Sequence, residues 1–147
     1  MDMDESDPYN LQRFVTAQQT CFEQVRSELR DGRKTSHWIW FVFPQIKGLG
    51  RSETSRKFAI SSREEAQAYL NHPILGPRLL ECTRLVTRLV GRSAVDIFGS
   101  PDDLKFRSCM TLFSVVSDNK VFKDALNQYF GGEPDDLTIE ILKRGSP

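Results

Sequence analysis

Thr35-Ser36-His37-Trp38-Ile39-Trp40-Phe41-Val42-Phe43-Pro44-Gln45 is the stretch on which the fold class turns. Its run from Trp38 to Phe43 is the longest uninterrupted apolar segment of the chain, six residues. A run that short and uniform reads equally well as a buried strand or a buried turn of helix. Partners decide between the two. A strand needs other strands, and no flanking segment supplies a convincing one. The flanks instead repeat apolar residues at helical intervals, with capping residues ahead of them. The segment is therefore read as a short buried helix, and the chain as all-α, a single multihelical domain.

Upstream, Leu11, Phe14, Cys21, Phe22, Val25 and Leu29 recur mostly three, four or seven apart, which predicts one long amphipathic helix from Asn10 to a stop at Gly32. Residues 1–7 are a polar arm without periodicity, and the domain is expected over 8–147. Downstream, Ser52 is a candidate N-cap for a helix through Arg56 to Ile60, and Ser61 or Ser62, each three residues before a Glu, opens the next. That helix should end at Asn71-His72-Pro73. A stripe of Leu75, Leu79, Cys82, Leu85, Val86 and Leu89 follows, stopped by Gly91, and Ser93 caps a short helix to Phe98. Ser100-Pro101-Asp102-Asp103 reads as a Ser cap with Pro at the first helical position. Asp118 is the expected cap of a helix to Phe130, and Asp135 or Asp136 that of a last helix through Leu142.

The 147 residues carry 20 Lys+Arg against 20 Asp+Glu, a formal net charge of zero, and the sequence pI is about 6.7. A chain without a global positive field is a poor phosphate-backbone binder, so no nucleic-acid partner is expected. No apolar run approaches the roughly 20 residues of a bilayer span, so no membrane partner is expected either. The start, Met1-Asp2-Met3-Asp4-Glu5, is acidic and has no apolar stretch behind it, which favours a cytoplasmic, bacterial-type address. Cys21, Cys82 and Cys109 form no Cys-x-x-Cys pair and sit in apolar-periodic surroundings, the pattern of reduced core thiols.

Standard chemical motifs fail when tried. Gly48-x-Gly50 is followed by Glu53 where a dinucleotide fingerprint needs its third glycine, and Gly32-Arg33-Lys34-Thr35 lacks the spacing of a P-loop. His37 and His72 have no partner at ligand spacing, and capping accounts for the acid pairs Asp102-Asp103 and Asp135-Asp136, so neither a metal nor a cofactor is expected. Ser36 and His37 are adjacent and diverge by about 100° on a helix, too far apart to act as nucleophile and base.

What stands out is the density of costly residue types between Arg33 and Ser52. Two tryptophans two positions apart are about 200° apart on a helix, so at least one of them should face away from the main core. An exposed ring beside Arg33, Lys34, His37 and the amide of Gln45, with Gly50 and the start of the Ser52 helix offering N–H groups, suits a planar anionic ligand. Lys105 and Ser108, with Thr111 on the same stripe of the Pro101 helix, join the site if that face turns toward the tryptophans. The expected ligand-binding set is therefore Arg33, Lys34, His37, Trp38, Trp40, Gln45, Gly50, Ser52, Lys105 and Ser108, with His37 and Lys105 as candidates for any catalytic role.

Several blocks resemble a known family. Gly32-Arg33-Lys34-x-Ser36-His37-Trp38-x-Trp40-Phe41-x-Phe43-Pro44-Gln45, Gly48-Leu49-Gly50-x-Ser52, Ala68-Tyr69-Leu70-x-His72-Pro73-x-Leu75-Gly76 and Ile97-Phe98-Gly99-Ser100-Pro101-Asp102-Asp103-x-Lys105 resemble the domain-of-unknown-function family 1810, some of whose members carry the name calpastatin. The resemblance implies a mainly helical, cytosolic bacterial protein. A looser likeness is to the NADAR proteins, which cleave glycosidic bonds to ADP-ribose. It rests on a helical lysine followed by Met and Phe, here Lys105, Met110 and Phe113, at a different spacing and without the NADAR Glu-containing motif.

Two functional readings result. In the first, one pocket takes an anionic, nucleotide-like small molecule, with hydrolysis related to NAD or ADP-ribose as its sharper form. In the second, the Trp cluster is structural core and the chain is a non-enzymatic interaction module, whose protein partner the sequence does not identify.

Overall fold

The computed structural model describes residues 6–145. Most of the expected arm, residues 1–5, lies outside the described residues. Asp7, placed in the arm by the sequence reading, has a structural role: its carboxylate accepts the Leu11 and Gln12 N–H groups and so caps the first helix.

The described residues form ten helices: α1 Gln12–Gln19, α2 Phe22–Asp31, α3 Ile39–Val42, α4 Glu53–Lys57, α5 Arg63–Asn71, α6 Leu75–Thr87, α7 Ala94–Phe98, α8 Asp102–Val116, α9 Lys120–Phe130 and α10 Asp136–Arg144. No strand occurs among them; the only β-type pairing is an isolated parallel bridge between Ile46 and Ile60. The all-α expectation holds, and the segment quoted first is helical over Ile39–Val42 alone. The turn stops there because Pro44 disfavours helical geometry in the residue before it.

The centre of the molecule is α8. Phe106, Cys109, Met110, Leu112 and Phe113 on this helix are completely buried, and α3, α5, α7, α9 and α10 all pack against it. Aromatic rings carry the core outward from it. Phe43 meets Phe106 edge-on at 4.9 Å, Phe98 stacks on Phe106 at 4.6 Å, and Phe113 leads through Tyr69 to Phe14 and Phe58. Each such side chain contributes on the order of 1.5–3 kcal/mol by leaving water.

Several expected starts are observed. Ser52, Ser62, Ser93 and Asp135 each accept the backbone N–H three residues on, and Gly32 and Gly131 end α2 and α9. Other expectations need correction. The single helix expected from Asn10 to Gly32 is two helices, broken at Thr20 and Cys21; α1 packs on α3 while α2 packs on α6, and one straight rod would not serve both. Asn119, not Asp118, caps α9, with its Oδ1 accepting the Val121 N–H. Ser100 does not cap α8; Pro101 holds the N-cap position without a side-chain bond. Gly76 in α6 passes so close to the Leu70 carbonyl at the end of α5 that a Cβ would collide with it, which explains a glycine inside a helix.

Candidate functional site

The loop between α2 and α3 is organised by a residue the sequence reading did not single out. Glu28, on the last turns of α2, is 4% exposed. Its Oε1 accepts the Thr35 N–H (2.8 Å), the Ser36 N–H (3.1 Å) and the Trp38 indole N–H (2.9 Å), and its Oε2 accepts the Ser36 hydroxyl and the Gln24 amide. Burial alone would raise its pKa, but the hydrogen bonds from Ser36, Gln24, Thr35 and Trp38 outweigh it and hold the carboxyl at about 2, against an ordinary 4.5. No cation among the described residues pairs with it. A buried carboxylate satisfied only by hydrogen bonds sets the path of residues 33–38, and with it the positions of both tryptophans.

Trp38 is 1% exposed and belongs to the core. Trp40, on the other side of the α3 turn, is half-buried. Beside them α8 supplies Asp102, whose carboxylate joins two lysines from different parts of the chain: Lys34 Nζ lies 2.7 Å from Oδ2 and Lys105 Nζ 3.1 Å from Oδ1. Each ammonium also sits over an indole, Lys34 over Trp38 at 5.2 Å and Lys105 over Trp40 at 5.3 Å. The Lys34 side chain is only 5% exposed. Partial burial raises the Asp102 pKa and the two lysines lower it, with a net downward shift. One carboxylate against two ammonium groups leaves the cluster with a single positive charge.

Trp40 is also part of the wall of a cavity of about 40 Å³, lined in addition by Gln45, Ile46, Lys47, Gly48, Gly50 and residues of α4 and the turn after it, among them Arg56 and Phe58. The lining contains no acid. The side chains of Gln45, Lys47 and Arg56 make no hydrogen bond or ion pair with any other described residue, and the Gly48 and Gly50 N–H groups have no acceptor among the described residues. Gly50 is required here because a Cβ would overlap the Ser55 side chain.

Of the expected site residues, the structure gathers Lys34, Trp38, Trp40 and Lys105 around Asp102, and Trp40, Gln45 and Gly50 around the cavity. It does not gather the rest. Arg33 and His37 are exposed and their side chains engage no other described residue. Ser52 is occupied with α4, a single turn: its hydroxyl donates to the Ser55 hydroxyl and accepts the Ser55 N–H, and its carbonyl accepts the Arg56 N–H. Ser108 is buried and turned the other way: its hydroxyl lies within hydrogen-bonding distance of the Leu104 carbonyl and the Asp135 carboxylate at the start of α10. Thr111 accepts the Asp135 N–H from the same side. These two residues fasten the last helix.

The sequence reading missed Glu28, Asp102 as a bridging group, Lys47 and Arg56. A signal existed for the last two, since residues 47–57 hold Lys47, Arg51, Arg56 and Lys57 against a single acid, Glu53. None existed for Glu28, whose partners are fixed by the course of a loop. Nucleophilic chemistry at Cys82 and Cys109 is disfavoured, because burial pushes the first up to about 12 and the second well above its ordinary value. No group of three or more His, Cys, Asp or Glu able to hold a metal occurs among the described residues, and no helix of the described residues is long and apolar enough to cross a membrane.

A comparison with curated proteins finds no match. Among solved structures, the chain is similar to the conserved hypothetical protein Rv1873 from Mycobacterium tuberculosis, with 54% sequence identity and a TM-score of 0.92 over 93% of this chain and 99% of that one. Residues 8–142 match the family described as "Protein of unknown function (DUF1810)", and the chain belongs to that family.

Proposed function

We propose that this protein binds an anionic small molecule, with the charged part of the ligand in the cavity beside Trp40 and a flat, nucleotide-like part against the exposed portion of that ring. The observation that carries the reading is the position of Trp40 between two positively charged groups of residues. On one side is the acid-free lining with Gln45, Lys47 and Arg56; on the other is Lys105, held over the indole by Asp102. Cationic and amide groups without partners, next to a half-buried aromatic surface, are the usual furniture of a site that recognises a ring and an anion together. Hydrolysis of NAD- or ADP-ribose-related compounds is the sharper form of this reading, with Lys105, over the Trp40 ring, as the residue placed to act on the ligand.

The test is a thermal-shift and tryptophan-fluorescence titration of the full chain with AMP, ADP-ribose and NAD, using adenosine as the uncharged control. The anionic compounds should raise the melting temperature and change the Trp40 emission, and adenosine should do neither. Lys105→Ala should weaken binding by about tenfold, roughly 1.4 kcal/mol, and chromatography of the same mixtures reads any hydrolysis. Anions that shift the protein no more than adenosine does overturn the proposal. The interaction-module reading, to which the burial of Trp38 in the core already lends support, then takes its place.

A further inference from the structure

We infer that the group bound in the cavity is a single dianionic phosphoryl group, as in a phosphate monoester, with the organic part of the ligand left outside. This rests on the proposed anion site and narrows its ligand class. Size is the first argument. A water molecule needs about 10–15 Å³ of such space, so a cavity of about 40 Å³ holds roughly three waters. A nucleoside does not fit. A phosphoryl group, a single phosphorus with three terminal oxygens, is of that size.

Charge is the second argument. The lining carries two cations, Lys47 and Arg56, and no acid, and neither cation has an ion-pair partner among the described residues. A carboxylate would neutralise one of the two. A phosphate monoester near neutral pH carries close to two negative charges and matches the two cations. Hydrogen-bond donors are the third argument. The Gln45 amide and the Gly48 and Gly50 N–H groups, on residues of the lining, have no acceptor among the described residues, and a phosphoryl group accepts on every terminal oxygen. Ser55 is not among them, since its hydroxyl already donates to the Ser52 carbonyl.

The experiment compares inorganic phosphate, phenyl phosphate, acetate and benzoate as ligands of the full chain by isothermal titration calorimetry, at constant ionic strength. It uses the parent protein and the variants Lys47→Gln and Arg56→Gln. Both residues are exposed and unpaired, so circular dichroism and melting temperature should be unchanged. Inorganic phosphate should bind saturably, phenyl phosphate at least tenfold more tightly, and both at least tenfold more tightly than acetate or benzoate; each variant should lose at least tenfold in phosphate affinity. Carboxylates that bind as well as the phosphates overturn the phosphoryl assignment and leave the anion site standing. Phosphate binding that neither variant weakens overturns the assignment to this cavity, and the absence of binding by all four probes overturns the assignment and the anion site together.

Discussion

Replacing Glu28 by Ala tests the account of how the loop before α3 is held. The substitution removes the only acceptor of the Trp38 indole N–H, a donor on a side chain 1% exposed, together with the acceptor of the Thr35 and Ser36 N–H groups. Thr35 is exposed and its N–H is rehydrated, whereas the indole N–H cannot be. An unsatisfied buried donor costs about 1–3 kcal/mol, and hydrogen bonds to a charged acceptor contribute about 1.5–3 kcal/mol each without adding fully. About 4 kcal/mol in total is therefore expected. Linkage gives a second route. The drop in the Glu28 pKa from 4.5 to about 2 corresponds to about 3 kcal/mol. Because the folded-state value is the lower one, this stabilisation is fully present above pH 4.5 and is lost as the pH falls toward 2.

The assay is urea unfolding followed by tryptophan fluorescence, at pH 7 and then at steps down to pH 3. Glu28→Ala should lower the unfolding free energy at pH 7 by about 4 kcal/mol, and its stability should fall less steeply than the parent's below pH 4.5. Glu28→Gln should cost a comparable amount, since an amide offers one acceptor oxygen and turns an NH₂ group toward the remaining donors. A Glu28→Ala protein within about 1 kcal/mol of the parent, or one whose stability falls with acid as steeply as the parent's, refutes the reasoning.

Removing Asp102 should be far more harmful than removing its more exposed partner, Lys105. Asp102→Ala leaves the 5%-exposed Lys34 ammonium without an acid and should cost about 3 kcal/mol, while Lys105→Ala, on a side chain 25% exposed, should cost about 1 kcal/mol or less; equal effects in denaturation curves would show that Lys34 is not held as described. The thiols provide the third check. Burial raises all three thiol pKa values, so native protein at pH 7 should react slowly with a disulfide reagent at Cys21 and not at Cys82 or Cys109, with all three reacting in urea. Rapid labelling of more than one thiol in the native state contradicts that.

Most helix boundaries and the fold class were legible because they depend on contacts three to five residues apart. Ser52, Ser62, Ser93 and Asp135 cap helices through N–H groups that any local reading of the chain can count, and Gly32 and Gly131 stop them for equally local reasons. That the two tryptophans differ in burial was also expected, with Trp38 in the core and Trp40 half-buried, although Trp38 lies just before the α3 turn and not in it. Tertiary structure alone decided which polar residues meet. Lys34 and Asp102 are 68 positions apart in sequence and 2.7 Å apart in space, and Ser108 turns to Asp135 because α10 docks on that face of α8. The break at Thr20 and Cys21 has the same origin, since α1 and α2 pack on different helices. Capping energies are local and sum along the chain, whereas a carboxylate such as Glu28 or Asp102 acquires its role from whichever donors the packed core brings to it.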